Sequence, residues 1–327
     1  LPKAVLDEEI ATIEAMGVEI VTNTKIGEDI PFETVQEDFD AILLGIGAWV
    51  STGVGCPGED AEGVIGGIDF LRKVVRNEEI KLGEKVAIVG GGNTAMDACR
   101  TAVRLGAKEV YNIYRRTKDE MPADMVEIEE AEEEGVIFKN LTNPLEVIKD
   151  EKGHVKEVVL QVMELGEPDA SGRRKPIPVE GKTETLPIDT MILAIGQAVD
   201  ASMFDCDKTR KNAIAYDPDT FMTSIPGVFA GGDCGNDKIS IAVEAIADAR
   251  KVSDIIDAYL YGEHIKYEKP YVVERDDITE KTFEDRERLC RPELPQLSAE
   301  ERKDNFTEVI PCAYTSEQAE AEAHRCL

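Results

Sequence analysis

Short apolar runs alternate along this chain with longer amphipathic segments. The amphipathic segments predict helices at 1–16, 68–76, 93–105, 124–134, 240–261 and 315–325. The apolar runs predict buried strands at 18–21, 39–44, 85–89, 109–114, 136–139, 191–195 and 227–230. Because helices separate several of these strands, the pattern favours an α/β fold built on parallel strands.

One stretch, 145–186, has a different pattern. Its β-rich runs at 145–148, 155–165 and 175–179 alternate apolar and polar residues, and turn residues around Gly153 and Gly172 separate them. Alternation with short turns predicts an antiparallel meander.

The strand at 85–89 ends in a glycine turn that opens a helix, Gly90-x-Gly92-x-x-Ala95. Gly90 allows the tight turn, Gly92 lets the backbone approach a pyrophosphate, and Ala95 lets the helix pack closely. The helix N-terminus favours the phosphates. Together these features predict a dinucleotide site. Its candidate residues are Gly90, Gly91, Gly92, Asn93, Thr94 and Ala95.

Two cations, Arg115 and Arg116, follow the next strand, 109–114. An NAD-binding protein usually has an acidic residue near this point, which would repel a 2′-phosphate, whereas arginine offers a planar fork that binds one. The pair therefore favours NADP(H) over NAD(H). The alternative is a solvated strand end without a ligand.

A second candidate site follows the strand at 227–230, which ends in Gly231-Gly232-Asp233. A carboxylate there can accept hydrogen bonds from ligand hydroxyls while the glycines admit a close ligand. The helix that begins near Ser240–Ala242 could face the electron-rich edge of a flavin. The alternative for Asp233 is an ordinary turn or N-cap residue.

The length of 327 residues predicts two domains. The composition argues against some classes of function. With 67 acidic and 37 basic residues, the net charge is −30, which argues against nucleic acid or an anionic membrane as a partner. We expect this negative charge to serve solubility. The alternative is that it binds a basic docking face on a partner protein. No apolar stretch approaches the length of a membrane span, and no signal peptide is recognised.

The seven cysteines are widely spaced and form no Cys-x-x-Cys pair. This usage predicts a reducing compartment, the cytoplasm, and argues against a thiol–disulfide reductase. None of the three histidines lies beside a glycine-rich segment, so histidine-centred acid–base catalysis is not expected.

Several motifs together resemble a known family. They are Gly90–Asp97, Tyr114–Arg116, Met121–Ala123, Gly227–Asp233 and the strand ends Leu44–Gly47 and Ala194–Gln197. Over roughly residues 1–262 the chain resembles two-dinucleotide-fold flavoprotein reductases of the pyridine nucleotide-disulfide oxidoreductase superfamily, in particular proteins like the small (beta) subunit of NADPH glutamate synthase.

The resemblance implies two Rossmann-like domains, doubly wound and three-layered, with an NADP(H) domain (79–196) inserted within an FAD domain (1–78 and 197–262). Residues 263–327 are expected to form an extended arm with a short terminal helix. For NADP(H), the resemblance carries over the residues of the glycine turn together with Arg115 and Arg116. For FAD and for the strand ends beside the cofactors, the implied residues are Leu1, Pro2, Ile26, Gly47, Ala194, Ile195, Gly196, Gly232, Asp233, Ile241 and Ala242.

The chain also departs from this family. The first FAD strand with its own Gly-x-Gly-x-x-Gly, and the cysteine-rich iron–sulfur domain before it, are missing. The sequence is therefore expected to be the C-terminal portion of a longer protein. Its last residues resemble the start of an iron–sulfur segment in some relatives, with Cys326 as the first ligand. The alternative is a terminal cysteine without a ligand role.

The resemblance implies an NADPH–FAD oxidoreductase that passes hydride between the two cofactors, with electrons continuing to iron–sulfur clusters of the same protein or of a partner. An iron–sulfur protein or a glutamate synthase-type large subunit is the expected partner. One alternative is a nucleotide-binding docking or electron-entry subunit without independent turnover. Another is an NADP-binding regulatory module without flavin.

Overall fold

The computed structural model describes residues 3–168, 172–237, 239–268, 271–285, 289–307, 310 and 312–325. The chain forms two compact units. The main unit comprises residues 21–266, and the terminal unit comprises 1–20 with 267–327.

The strands of the main unit are β1 (Ile42–Leu44), β2 (Val50–Ser51), β3 (Val64–Gly66), β4 (Lys85–Val89), β5 (Glu109–Tyr114), β6 (Ile137–Asn140), β7 (Thr142–Lys149), β8 (Val155–Pro168), β9 (Arg174–Pro187), β10 (Thr190–Leu193), β11 (Gln197–Ala198) and β12 (Val228–Ala230). The α-helices among the described residues are α1 (Lys3–Ala15), α2 (Phe32–Asp38), α3 (Gly67–Val75), α4 (Asn93–Arg104), α5 (Met125–Glu133), α6 (Ala242–Leu260), α7 (Ala299–Lys303) and α8 (Ser316–Ala323).

Five parallel strands form the central sheet, in the order β3-β10-β4-β5-β6. Both faces of β4 are buried, which explains its continuous apolar sequence. Val86 and Ile88 face a layer of helices, where Phe70 of α3, Met96 of α4 and Ile128 of α5 are fully buried.

The opposite face of the central sheet is covered by the antiparallel sheet β7-β8-β9. Ala87 and Val89 of β4 pack there with Val158 and Leu160 of β8. The predicted meander is therefore confirmed, and each of its strands extends beyond the alternating run that predicted it. The three layers are helices, a parallel sheet and an antiparallel sheet, which is consistent with the predicted α/β class.

A smaller region surrounds a two-stranded parallel sheet, β1 with β12. Phe32, Phe204 and Ile214 are buried in its core, and the rings of Phe32 and Phe204 meet edge to face at 4.9 Å. The short antiparallel pair β2 and β11 lies where the chain passes between this region and the central sheet.

The domain boundaries predicted from the sequence differ from the sheet pairing at one point. Strand β3 lies within the segment assigned to the FAD domain, yet it pairs with β10 in the central sheet. Helix α3 follows it and contributes Phe70 to the same core. By pairing and packing, β3 and α3 therefore belong to the central sheet and its helix layer, and the assignment of two domains stays a prediction.

The six predicted helices are all present, whereas α2 and α7 were not predicted. The predicted strand at 18–21 is wrong. These residues pair with no strand among the described residues, and Val18, Ile20 and Val21 are exposed. An apolar run becomes a strand only where another strand can hydrogen-bond to it. In the terminal unit, α1 buries none of its residues.

Among the described residues, no helix has both the length and the apolar character needed to cross a membrane. The longest, α6, has 19 residues and buries Asp248, Val252 and Ile255.

A buried ion network joins α4 to α5. Arg100 contacts Glu127, Glu130 and Glu134 at 2.7–2.8 Å, and Arg104 contacts Glu134 at 2.7 Å. The Glu134 side chain is fully buried. Burial alone would raise its pKa, but hydrogen bonds from Arg100 and Arg104 outweigh burial and lower the pKa from the ordinary 4.5. The network therefore fixes the helix that begins at the glycine turn.

We expect Glu134→Gln to lower the free energy of unfolding by about 3 kcal/mol, because breaking a buried ion pair leaves charges uncompensated. A carboxylate with a lowered pKa stabilises the fold above its unfolded-state pKa, and this contribution is lost as the pH falls through the lowered value. The difference between variant and wild type should therefore shrink in acid. Urea denaturation at pH 7 and at acidic pH measures both effects.

The matched control is Glu129→Gln, since Glu129 is exposed on the same helix. A loss of equal size for both variants would show that the buried network does not provide this stability.

Candidate functional site

A cavity of about 630 Å³ in the main unit, the larger of two that concern the predicted sites, lies at the carboxyl ends of β4, β5 and β10. This is the edge at which open α/β sheets bind ligands. Many of the predicted residues line it. They are Gly90, Gly91, Gly92, Thr94, Arg115, Arg116, Ala194, Ile195 and Gly196.

The glycine turn passes very close to the end of β10. At Gly90, φ is +145° and a Cβ would lie 2.2 Å from the Ala194 carbonyl oxygen. At Gly92, a Cβ would meet nothing within 4 Å. Gly90 is thus required by the fold, whereas Gly92 leaves open space beside the start of α4. A cradle of this kind fits a pyrophosphate, whose oxygens need close backbone N–H groups.

Asn93 and Ala95 do not line the cavity but support the turn. Ala95 is fully buried against the sheet. The Asn93 Oδ1 accepts a hydrogen bond from the Asp124 backbone N–H at 3.0 Å, and Gly91 accepts one from Ala123 at 3.1 Å. The segment before α5 is therefore fastened to the glycine turn.

Sequence reasoning missed Asn112, which is fully buried on β5. Its Nδ2 donates to the Gly90 carbonyl at 2.9 Å and so holds the first glycine of the turn. The available signal was an amide in the middle of an otherwise apolar strand.

The two predicted arginines occupy different environments. Arg115 is exposed, whereas Arg116 is 5% exposed. The Arg116 Nε donates to the Arg174 carbonyl at 2.6 Å, which ties it to the β8–β9 hairpin. Sequence reasoning also missed Arg173, a half-buried residue of this hairpin that lines the same cavity.

The strand end 194–196 forms another wall of the larger cavity. Ala194 donates its N–H to Val89 at 2.8 Å, and Gly196 accepts from the Thr52 N–H at 3.1 Å. Ile195 is 43% exposed, so the wall presents an apolar side chain beside backbone groups.

A smaller cavity, about 260 Å³, lies beyond the ends of β1 and β12. Of the residues predicted for the second site, Gly47, Gly232 and Asp233 line this cavity. The Asp233 Oδ1 accepts from the Ser240 N–H at 3.0 Å, which is the turn contact weighed as its alternative role. The volume is below the roughly 300–1,000 Å³ of ordinary ligand pockets.

Other predicted residues lie elsewhere. Ile241 is the exposed N-cap of α6 and Ala242 its first residue, and neither lines the two cavities. Ile26 packs against the core of the smaller region instead. Leu1, Pro2 and Cys326 lie outside the described residues. The described part of the chain contains no group of three or more metal-ligating side chains.

Several known proteins are similar to this chain in sequence or in fold. The family model for pyridine nucleotide-disulphide oxidoreductase matches residues 2–249. The chain is 44% identical to the NADP(+)-dependent formate dehydrogenase subunit beta of Moorella thermoacetica, over 80% of this chain and 37% of that protein. It is 36% identical to the NADPH-Fe(3+) oxidoreductase subunit beta of Geobacter sulfurreducens, over 100% of this chain and 53% of that protein.

It is also 35% identical to the glutamate synthase [NADPH] small chain of Escherichia coli, over 78% of this chain and 58% of that protein. The chain thus spans about half the length of the curated relatives it matches. Among solved structures, FprA of Mycobacterium tuberculosis in complex with NADPH has a similar fold, with a TM-score of 0.61 and 19% identity over 75% of this chain and 70% of that one.

We expect Gly90→Ala to lower the free energy of unfolding by on the order of 3 kcal/mol, because the new Cβ meets backbone and φ is positive. Gly92→Ala is the matched variant two residues away, with φ −93° and open space around its Cβ. It should unfold like the wild type. Thermal and urea denaturation compare the two, and equal losses would contradict the close approach at Gly90.

Proposed function

This chain belongs to the pyridine nucleotide-disulphide oxidoreductase family, and from that premise we propose that it transfers hydride from NADPH to FAD, with electrons continuing to iron–sulfur centres of the same protein or of a partner. The family confirms the predicted class, an NAD(P)H-dependent flavin oxidoreductase with NADP(H) and FAD as cofactors.

The observation that carries the proposal is that the same chain segments line both cavities. One segment contributes Gly45 and Gly47 to the smaller cavity and Ser51 and Gly53 to the larger one. A second contributes Asp233 to the smaller cavity and, a few residues later, Ile239 to the larger one. Neighbouring sites of this kind suit two cofactors that react with each other.

In the larger cavity, the glycine turn and the N-terminus of α4 would hold the pyrophosphate of NADP(H). Arg115 and Arg116 would bind its 2′-phosphate. The wall at 194–196 would support the nicotinamide end through backbone groups and the apolar Ile195.

In the smaller cavity, Gly47 and Gly232 would admit part of FAD close to the backbone, because about 260 Å³ is too small for the whole cofactor. Asp233 would accept a hydrogen bond from a ribityl or ribose hydroxyl while keeping its contact to Ser240. The helix α6 begins shortly after, and its positive end would favour the electron-rich part of the flavin.

The cofactors supply hydride transfer when bound, and the protein supplies binding and orientation. The described residues that line the larger cavity include no Asp, Glu, His, Lys or Cys. A role in positioning and in excluding water is therefore favoured over proton transfer by a side chain.

The proposal continues the electron path beyond the flavin. The names of the relatives describe subunits of larger enzymes, which supports an iron–sulfur or large-subunit partner. Six described cysteines are free thiols, and this supports a reducing compartment such as the cytoplasm. An electron-entry subunit without independent turnover is the second candidate, favoured by the relatives' names, which describe subunits or small chains.

Anaerobic addition of NADPH to the purified chain loaded with FAD should bleach the flavin absorbance, because the two sites adjoin. NADH should act more weakly at equal concentration. Stopped-flow absorbance measures both rates. If NADPH binds while bound FAD stays oxidised, hydride transfer within this chain is excluded and the docking role is favoured. If FAD does not bind at all, the flavin part of the proposal fails.

Arg115→Ala should weaken NADPH binding by roughly tenfold to a hundredfold, since a hydrogen bond to a charged group contributes about 1.5–3 kcal/mol. NADH binding should change little because it lacks the 2′-phosphate. Nucleotide fluorescence titration measures both affinities. Arg210→Ala, an exposed arginine outside both cavities, is the control. An equal loss for NADH would reject a 2′-phosphate role for Arg115.

A further inference from the structure

The charge lining the larger cavity contrasts with that of the chain. The whole chain has a net charge of −30, yet the charged residues among the described lining are three arginines, Arg115, Arg116 and Arg173. They come from two separate places, the end of β5 and the β8–β9 hairpin. A cavity lined by cations in an acidic protein favours an anionic ligand.

We propose that Arg173 binds the 2′-phosphate of NADP(H) together with Arg115, and that it sets the preference for NADPH over NADH. This inference rests on the proposed function of the larger cavity. It adds an arginine from the antiparallel layer to a site whose other two arginines follow the parallel strand β5.

The position of the hairpin backbone is fixed relative to the end of β5. The Arg116 Nε donates to the Arg174 carbonyl at 2.6 Å, and the Leu141 N–H donates to the Arg116 carbonyl at 3.0 Å. Within the hairpin, the Arg174 Nη2 and Nε donate to the carbonyls of Leu165 and Gly166 at 2.9 and 3.2 Å. These hydrogen bonds hold the start of β9 in place, and Arg173, the residue before it, therefore lies at the cavity.

The three arginines differ in what they can offer a ligand. Arg116 is almost fully buried and its Nε donates to the hairpin backbone, so it offers fewer N–H groups to the 2′-phosphate while it also holds the hairpin in place. Arg115 is exposed and Arg173 is half-buried. A phosphate dianion has three acceptor oxygens and is bound best by more than one planar guanidinium fork. Arg173 supplies the second fork from the opposite layer.

The test compares Arg173→Gln with Arg174→Gln. The neighbouring arginine lies outside the cavity lining and bonds within the hairpin, so it controls for damage to the hairpin. Calorimetric titration measures the affinities of NADPH, NADH, 2′,5′-ADP and 5′-AMP. The last two probes isolate the 2′-phosphate. Thermal unfolding checks that each variant is folded, and Arg173→Lys, which keeps the charge, replaces Arg173→Gln if that variant does not fold.

We expect Arg173→Gln to weaken NADPH and 2′,5′-ADP by at least about tenfold, equivalent to one charged hydrogen bond. NADH and 5′-AMP should be unchanged, and Arg173→Lys should lose affinity less than Arg173→Gln. Arg174→Gln should keep the wild-type preference for NADPH over NADH.

Unchanged NADPH affinity in Arg173→Gln would overturn the inference about Arg173. It would not affect the assignment of the larger cavity to NADP(H). An equal loss for NADH, or the same loss of preference in Arg174→Gln, would also overturn it, because the effect would then be structural. A wild-type chain that binds NADPH no better than NADH would instead refute the NADP(H) assignment of the proposed function.

Discussion

The main unit depends on one close approach, the passage of the Gly90 backbone beside the Ala194 carbonyl. Only a residue without a Cβ can make this passage, because a side chain atom would lie 2.2 Å from that oxygen. The passage brings the end of β4 against the end of β10 and starts α4 at the sheet edge. The cavity, the glycines that line it and the exposed Ile195 at its wall all depend on this close approach.

Polar contacts between distant segments secure this arrangement from two sides. Asn112 holds the Gly90 carbonyl from within the sheet, and Asn93 fastens the segment before α5 to the start of α4. Farther along the same helices, the buried carboxylate of Glu134 joins Arg100 and Arg104. A fully satisfied polar network specifies one packing of two helices more sharply than apolar contacts alone.

The antiparallel layer has a structural role and, by our proposal, a functional one. It buries one face of the central sheet through residues such as Val158 and Leu160. Its hairpin is also fastened to Arg116 at the ligand edge. A single element thus completes the core and brings Arg173 to the cavity, and this links stability of the hairpin to nucleotide preference.

The sequence by itself determined the strand–turn–helix at 85–105, the arginine pair after β5 and the meander. These features depend on local periodicity and on the backbone freedom of glycine. Tertiary structure alone decided that β3 joins the central sheet, that 18–21 forms no strand, that Arg116 bonds to the hairpin and that Arg173 reaches the cavity. Each of these outcomes depends on which distant segment lies beside a residue, and a hydrogen bond or a strand exists only when that partner is present.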